Sequence, residues 1–171
     1  MKLLTMLLFS TIYIFAEQLA FKSFQSDFIQ NIKNPSGSVI TYEGSLITND
    51  SNYIIWRYTK PIIKEVYILD DQVIINEPEL EQTIYTSTNN QLNLNTLIKN
   101  AKMLNKGIYE ASINEIKYHF IFKDDILMSV SYLDEVENQV AIIFQNQQKD
   151  KKLDSKIFLF DQNPDFDIIK Q

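Results

Sequence analysis

From Gly44 to Gln82 the chain carries five short runs of β-branched and aromatic residues, separated by Asn49-Asp50-Ser51, Lys60-Pro61, Asp70-Asp71 and Glu77-Pro78. Such runs favour a pleated surface and the separators are turn formers, so the stretch predicts consecutive antiparallel strands. It also holds the only tryptophan, Trp56, beside Ile54, Ile55 and Tyr58. Side chains alternate across a strand. Tyr53, Ile55 and Arg57 therefore share one face, and Ile54, Trp56 and Tyr58 the other. With large side chains on both, at least one face needs a cover, either a core or a ligand.

The flanking sequence extends the pattern. Phe21, Phe24, Phe28 and Ile32 stand at helical spacings, while Phe28, Gln30 and Ile32 also alternate as a strand would. The expected arrangement is a short amphipathic helix from 17 to about Gln25, then a first strand to Lys33. Asn34-Pro35-Ser36-Gly37 supplies a tight turn, and 38–48 a second strand. Residues 86–91 read as a loop. Beyond it, Leu94, Leu97, Ile98 and Ala101 fall on one helix face, with Lys99 and Lys102 opposite and Gly107 as the stop. Further strands are expected over 108–113, 116–122, 127–133, 139–145 and 156–160, with 145–154 as a solvated hairpin tip and Phe166, Ile168 and Ile169 as a closing apolar patch. This amounts to about eleven strands and two helices, without repeats or βαβ alternation. One antiparallel sheet of that length must curl. A closed barrel and a half-barrel plugged by helices satisfy the pattern equally.

Composition removes most chemistry. The 171 residues suit one domain with a sizeable core. A net charge of −6 and a single arginine, Arg57, offer no basic patch, so nucleic acid is not an expected partner. No cysteine is present, which excludes disulfides and thiolate metal sites, and one histidine, His119, cannot build a triad or a zinc site. His119 reads as a partly solvated strand residue and Arg57 as an outward one paired with a nearby carboxylate. Asp70-Asp71 and Asp124-Asp125 read as turns rather than catalytic dyads. Glycine is too scarce for a phosphate loop or a nucleophile elbow, and a hydrolase finds no nucleophile–base pair. Neither an enzyme, a metal nor a cofactor is expected. What remains is surplus apolar surface on curved strands, which would hold an apolar ligand by area. On composition alone the same residues would simply fill a core.

The N-terminus has the anatomy of a secretory signal: Lys2, an apolar run from Leu3 to Phe15, and Ala16 before Glu17. The run is shorter than the ~20 residues of a membrane-spanning helix. Cleavage after Ala16 and a single domain over 17–171 are the expectation.

Gly44, Leu46-Ile47, Ile54-Ile55-Trp56 and Pro61, followed by Asn76-Glu77-Pro78-Glu79-Leu80-Glu81-Gln82, resemble the periplasmic outer-membrane lipoprotein carrier (LolA) family. The family's pattern there is a glycine, a hydrophobic strand, F-x-W and a proline. Phe28-x-Gln30 looks like its F-x-Q. Asp134, Asn138 and Ile142-x-Phe144 look like its D-x-x-G-N and I-x-F, and Phe158-x-Phe160, Pro164 and Asp167-Ile168-Ile169 like its closing motif. Asp50-Ser51 stands where the family usually has a basic Arg-Pro pair. That arginine is thought to tie a helical lid to the sheet, so the closing contact must differ here. Family glycines are also replaced at Asp70, Glu137 and Asp165.

The resemblance implies a mainly β fold with some α: an incomplete antiparallel β-barrel whose helices cover the open concave side. It implies a monomeric periplasmic carrier that takes lipoprotein acyl chains from an inner-membrane ABC transporter to an outer-membrane acceptor. The cavity wall would be Leu46, Ile54, Trp56, Tyr58, Val66 and Ile68, and the lid face Leu94, Leu97, Ile98 and Ala101. A lipid- or lipoprotein-sensing module on the same half-barrel, which binds without shuttling, is the alternative.

Overall fold

A computed structural model describes residues 19–51, 53–87 and 94–171 of the chain. Its centre is strand β1 (Ser23–Lys33), on which Phe24, Ser26, Phe28 and Gln30 alternate as buried residues. β1 is hydrogen-bonded on both sides. One neighbour is β2 (Val39–Asn49), which leads into the meander β3 (Ile54–Lys60), β4 (Lys64–Leu69), β5 (Gln72–Glu77) and β6 (Gln82–Ser87). The other is β11 (Gln139–Lys149), the last strand of a second meander that also contains β7 (Lys102–Asn105), β8 (Ile108–Ile113), β9 (Ile116–Lys123) and β10 (Ile126–Leu133). A short final strand, β12 (Asp167–Lys170), lies parallel against β6, and every other pairing is antiparallel. Among the described residues the result is one sheet of twelve strands whose edges, β12 and β7, do not meet.

The sheet nevertheless curls. Trp56 on β3 and Tyr118 on β9 line one cavity although four strands separate them in the sheet order. The inner face carries the main core, built on Phe24, Phe28, Leu46, Phe120, Leu127, Ile142 and Phe144, with Leu97 and Ile98 packed into it. The outer face carries a second core of Ile55, Tyr67, Ile74 and Phe158. The alternation of 53–58 thus separates as expected. Ile54 joins the inner cluster and Ile55 the outer one.

Several expectations need correction. The helix foreseen from 17 begins outside the described residues, and β1 replaces it at Ser23; Leu19 alone of the described part is helical. Spacings of four place residues on one face of a strand as well as of a helix, so Phe24, Phe28 and Ile32 fit β1. The helix foreseen as far as Gly107 is only six residues, α1 (Leu94–Lys99). It closes with Ala101 N–H on the Ile98 carbonyl at 3.1 Å, after which Lys102–Asn105 pairs with β8 as an edge strand. Gly107 instead turns that hairpin, at φ +75°. Of the helices expected over the open side, the described residues hold one short α-helix, α1. Residues 145–154 are not a hairpin tip, because β11 runs on to Lys149 alongside β1. Nor is 156–160 a strand. Ser155–Phe158 form a 3-10 turn started by Asp154, whose carboxylate accepts the Lys156 N–H at 3.0 Å. Phe158 and Phe160 then pack on the outer face, and β12 follows as a twelfth strand against about eleven foreseen.

Candidate functional site

Strand alternation on the two wings brings one row of side chains from each to a common hollow. From β2, β3 and β4 come Leu46, Ile54, Trp56, Tyr58, Val66 and Ile68; from β9, β10 and β11 come Tyr118, Val130, Tyr132, Ile142 and Phe144. The pairings Leu46 with Trp56 and Trp56 with Val66 put three of these in one cross-strand row. Gln30 on β1 lies between the wings, and Leu94 and Leu97 of α1 complete the wall. The space they leave is a half-open cavity of about 280 Å³.

All six sheet residues foreseen for the wall stand around this hollow. Of the four foreseen on the helix, Leu94 and Leu97 line it, whereas Ile98 and Ala101 turn into the core beside it. Reasoning from the sequence missed the second wall. Its signal was there in Tyr118-x-Phe120-x-Phe122, Val130-x-Tyr132 and Ile142-x-Phe144, each alternating as the first wall does.

Aromatic rings stiffen one end. Phe28 meets Trp56 edge-on at 5.1 Å and Tyr58 at 5.3 Å, Tyr42 meets Tyr58 at 5.7 Å, and Tyr118 lies 4.9 Å from Tyr132. Burial pushes the Tyr58 hydroxyl up to about 12, helped by the nearby Tyr132 and Tyr42. Burial does the same to Tyr132, also to about 12, with Tyr118 and Asp134 adding to it. Both therefore stay neutral donors through the physiological range.

The tie between α1 and the segment leading into β1 comes from a residue the sequence did not suggest. Asn95, 3% exposed, accepts the Phe21 N–H at 3.1 Å and donates its amide to the Phe21 carbonyl at 2.7 Å. Asp50 has a different place: it lies in the β2–β3 turn, with its N–H on the Lys22 carbonyl at 2.9 Å.

The remaining polar residues take structural places. Arg57 pairs with Glu65 at 2.9 Å across β3 and β4, and His119 meets Glu110 at 3.0 Å on the outer face. Asp70-Asp71 and Asp124-Asp125 form two-residue hairpin turns, with positive φ at Asp70, Asp124 and Asp125. A wider hollow of about 810 Å³ lies against residues 114–117 at the start of β9 and 131–135 at the end of β10. It is more open than the cavity between the wings, and Glu115, Lys117, Asp134 and Glu135 stand among its lining residues. Among the described residues no cluster of His, Asp or Glu is placed to hold a metal. Nor is any helix there long and apolar enough to cross a membrane.

No model of a known protein family matches the chain. Similar curated proteins include the outer-membrane lipoprotein carrier protein of Wolinella succinogenes, 37% identical over 87% of both chains. That of Campylobacter jejuni is 36% identical over 92% of both. That of Helicobacter pylori is 32% identical over 88% of this chain and 81% of its own. Among solved structures, a LolA superfamily protein from Nitrosomonas europaea superposes with a TM-score of 0.54 at 12% identity, over 87% of this chain and 96% of the other. An uncharacterized conserved protein from Thermus thermophilus superposes with a TM-score of 0.57 at 8% identity, over 91% and 94%.

Proposed function

The chain belongs to the outer-membrane lipoprotein carrier protein family, and from that membership we propose that it carries the acyl chains of lipoproteins through the periplasm. It takes them from an inner-membrane ABC transporter and delivers them to an outer-membrane acceptor. Residues 1–16, outside the described part, serve as a secretory signal removed after Ala16, and 17–171 act as a single monomeric domain.

The observation that supports this reading is the cavity itself, whose wall is predominantly apolar and includes Trp56. Burying a methylene is worth about 0.8 kcal/mol. A carrier must therefore offer an acyl chain a dry lining comparable with the membrane it leaves. At about 280 Å³ the hollow is smaller than most ligand pockets, which run from roughly 300 to 1,000 Å³. A methylene takes up about as much space as a water molecule, ~30 Å³, so the hollow accepts only part of one chain. Loading then requires the cover to yield. In this reading α1 is that cover, because Leu94 and Leu97 are the part of the wall that belongs to no strand. Transfer is passive and no bond is made or broken; the driving energy enters at the ATP-dependent loading step.

The test is mass spectrometry of material that co-purifies with the protein from periplasm. Triacylated protein is expected with the wild type and is expected to be lost with Trp56→Glu, which sets a charge in the wall. An equal load on a Trp56→Glu variant with unchanged circular dichroism would defeat the reading.

A further inference from the structure

One group in the cavity has no place in a site that binds only hydrocarbon. Gln30 is 8% exposed and lines the hollow from the central strand, between Tyr42 on β2 and Ile142 on β11 in the ladder. Its side-chain amide can donate two hydrogen bonds and accept others, yet it takes none among the described residues. Among the described residues, no side-chain N or O that is fully sealed from solvent lacks a partner. The Gln30 amide, which has none, is therefore reached from the cavity. An unpaired amide among apolar walls costs stability, whereas leucine would fill the same space without that cost. Three hydroxyls accompany it on the wall, those of Tyr58, Tyr118 and Tyr132. Tyr58 feels Tyr132, and Tyr132 feels Tyr118, so the three lie within electrostatic reach of one another. The three hydroxyls are protonated at neutral pH, so with the Gln30 amide they offer hydrogen-bond donors to whatever enters the cavity. Among walls this apolar, a neutral acceptor costs far less to bring in than a charged one.

We propose that Gln30 and the hydroxyls of Tyr58, Tyr118 and Tyr132 form a polar collar that grips the carbonyl oxygens joining acyl chains to their head, whether ester or amide. The walls bind chain length without discrimination. The collar selects chains that are acylated over chains that are merely alkyl, and it fixes how far a chain slides in before its carbonyl stops at the donors.

The inference rests on the carrier reading, and one experiment separates the two. Dissociation constants are measured for a diacylglycerol and for its dialkyl-ether counterpart with chains of equal length, by displacement of a fluorescent apolar probe from the purified protein. The wild type is expected to bind the ester at least about fivefold more tightly, the weight of roughly one hydrogen bond. In Gln30→Leu the preference is expected to disappear through loss of ester affinity, with ether affinity unchanged or improved. Tyr132→Phe, which keeps the ring and removes only the hydroxyl, is expected to reduce the preference in part. Equal binding of ester and ether by the wild type overturns the collar and leaves the carrier reading standing. So does a preference that survives both substitutions. Failure of both lipids to bind the wild type overturns the carrier reading and the collar with it.

Discussion

Gly44 faces Phe28 across the β1–β2 ladder, and the phenyl ring occupies the room a side chain would need. A Cβ at Gly44 would lie 2.8 Å from Phe28 Cζ and would press on the Arg57 carbonyl. The ring could shift, but a carbonyl held in the β2–β3 ladder cannot. Gly44→Ala is expected to lower stability by about 3 kcal/mol, at the upper end for an overpacked core, and a urea titration reads it directly. The two half-buried tyrosines of the cavity make a different prediction, set by pH. In the folded chain Tyr58 and Tyr132 hold their protons up to about 12, whereas the unfolded chain releases them near 10. The folded state binds these protons more tightly. Its advantage is complete below pH 10 and is lost as pH rises from 10 through 12. Unfolding free energy is expected to fall by about 2 kcal/mol per tyrosine across that window, less whatever solvent reaches the half-buried rings. The slope should be shallower in Tyr58→Phe and Tyr132→Phe, and an unchanged slope in both would mean that neither hydroxyl is buried.

Helix α1 is too short to persist alone, since isolated helices below about 12 residues are marginal in water. It holds its place through Leu97 and Ile98 in the core and through the two hydrogen bonds from Asn95 to Phe21. Asn95→Leu removes both bonds and leaves a buried N–H and C=O unpaired. A loss of about 2 kcal/mol is expected, together with faster amide exchange at 94–99 while the strands stay protected. Exchange unchanged across α1 would show that the asparagine does not hold it. That tie was not legible in the sequence, because it joins residues 74 apart and asparagine has no periodic signature. The first cavity wall was legible, because alternation along 44–69 is local and each turn in it is marked. The second wall obeys the same alternation at Tyr118, Val130, Tyr132, Ile142 and Phe144. Joining it to the first requires β11 to find β1, which no local pattern encodes. The helix was foreseen too long because Ala101 keeps its phase, although Lys102–Asn105 carries no apolar period and lies exposed at the sheet edge. Residues 156–160 alternate convincingly, with Phe158 and Phe160 inward and Leu159 72% exposed. Yet they dock on a finished sheet instead of extending it, and alternation cannot distinguish the two.

The two faces of the sheet have unequal fillings. The inner face keeps a hollow, while the outer face of the first meander is closed by the strap from 150 to 166. There Phe158 packs with Ile55, Tyr67 and Ile74, Tyr53 tilts over Phe158 at 5.7 Å, and Phe160 meets Tyr67 at 5.1 Å. The strap thus fills the back of the first meander, while the front keeps its cavity. Phe158→Ala is expected to cost about 3–5 kcal/mol and to lower the melting temperature without changing the affinity for an acyl ligand at temperatures where the chain stays folded. A parallel loss of affinity would mean that the two faces are coupled. The position of β1 has a further consequence. The seam of the sheet comes first in the chain, but one of its partners comes near the end: Ser26 is bonded to the Gln145 carbonyl across 119 residues. A polypeptide threaded amino end first through a narrow channel therefore exposes its seam long before β11 emerges to complete it. Until then there is no second wall and no hollow: the cavity is a property of the finished sheet alone.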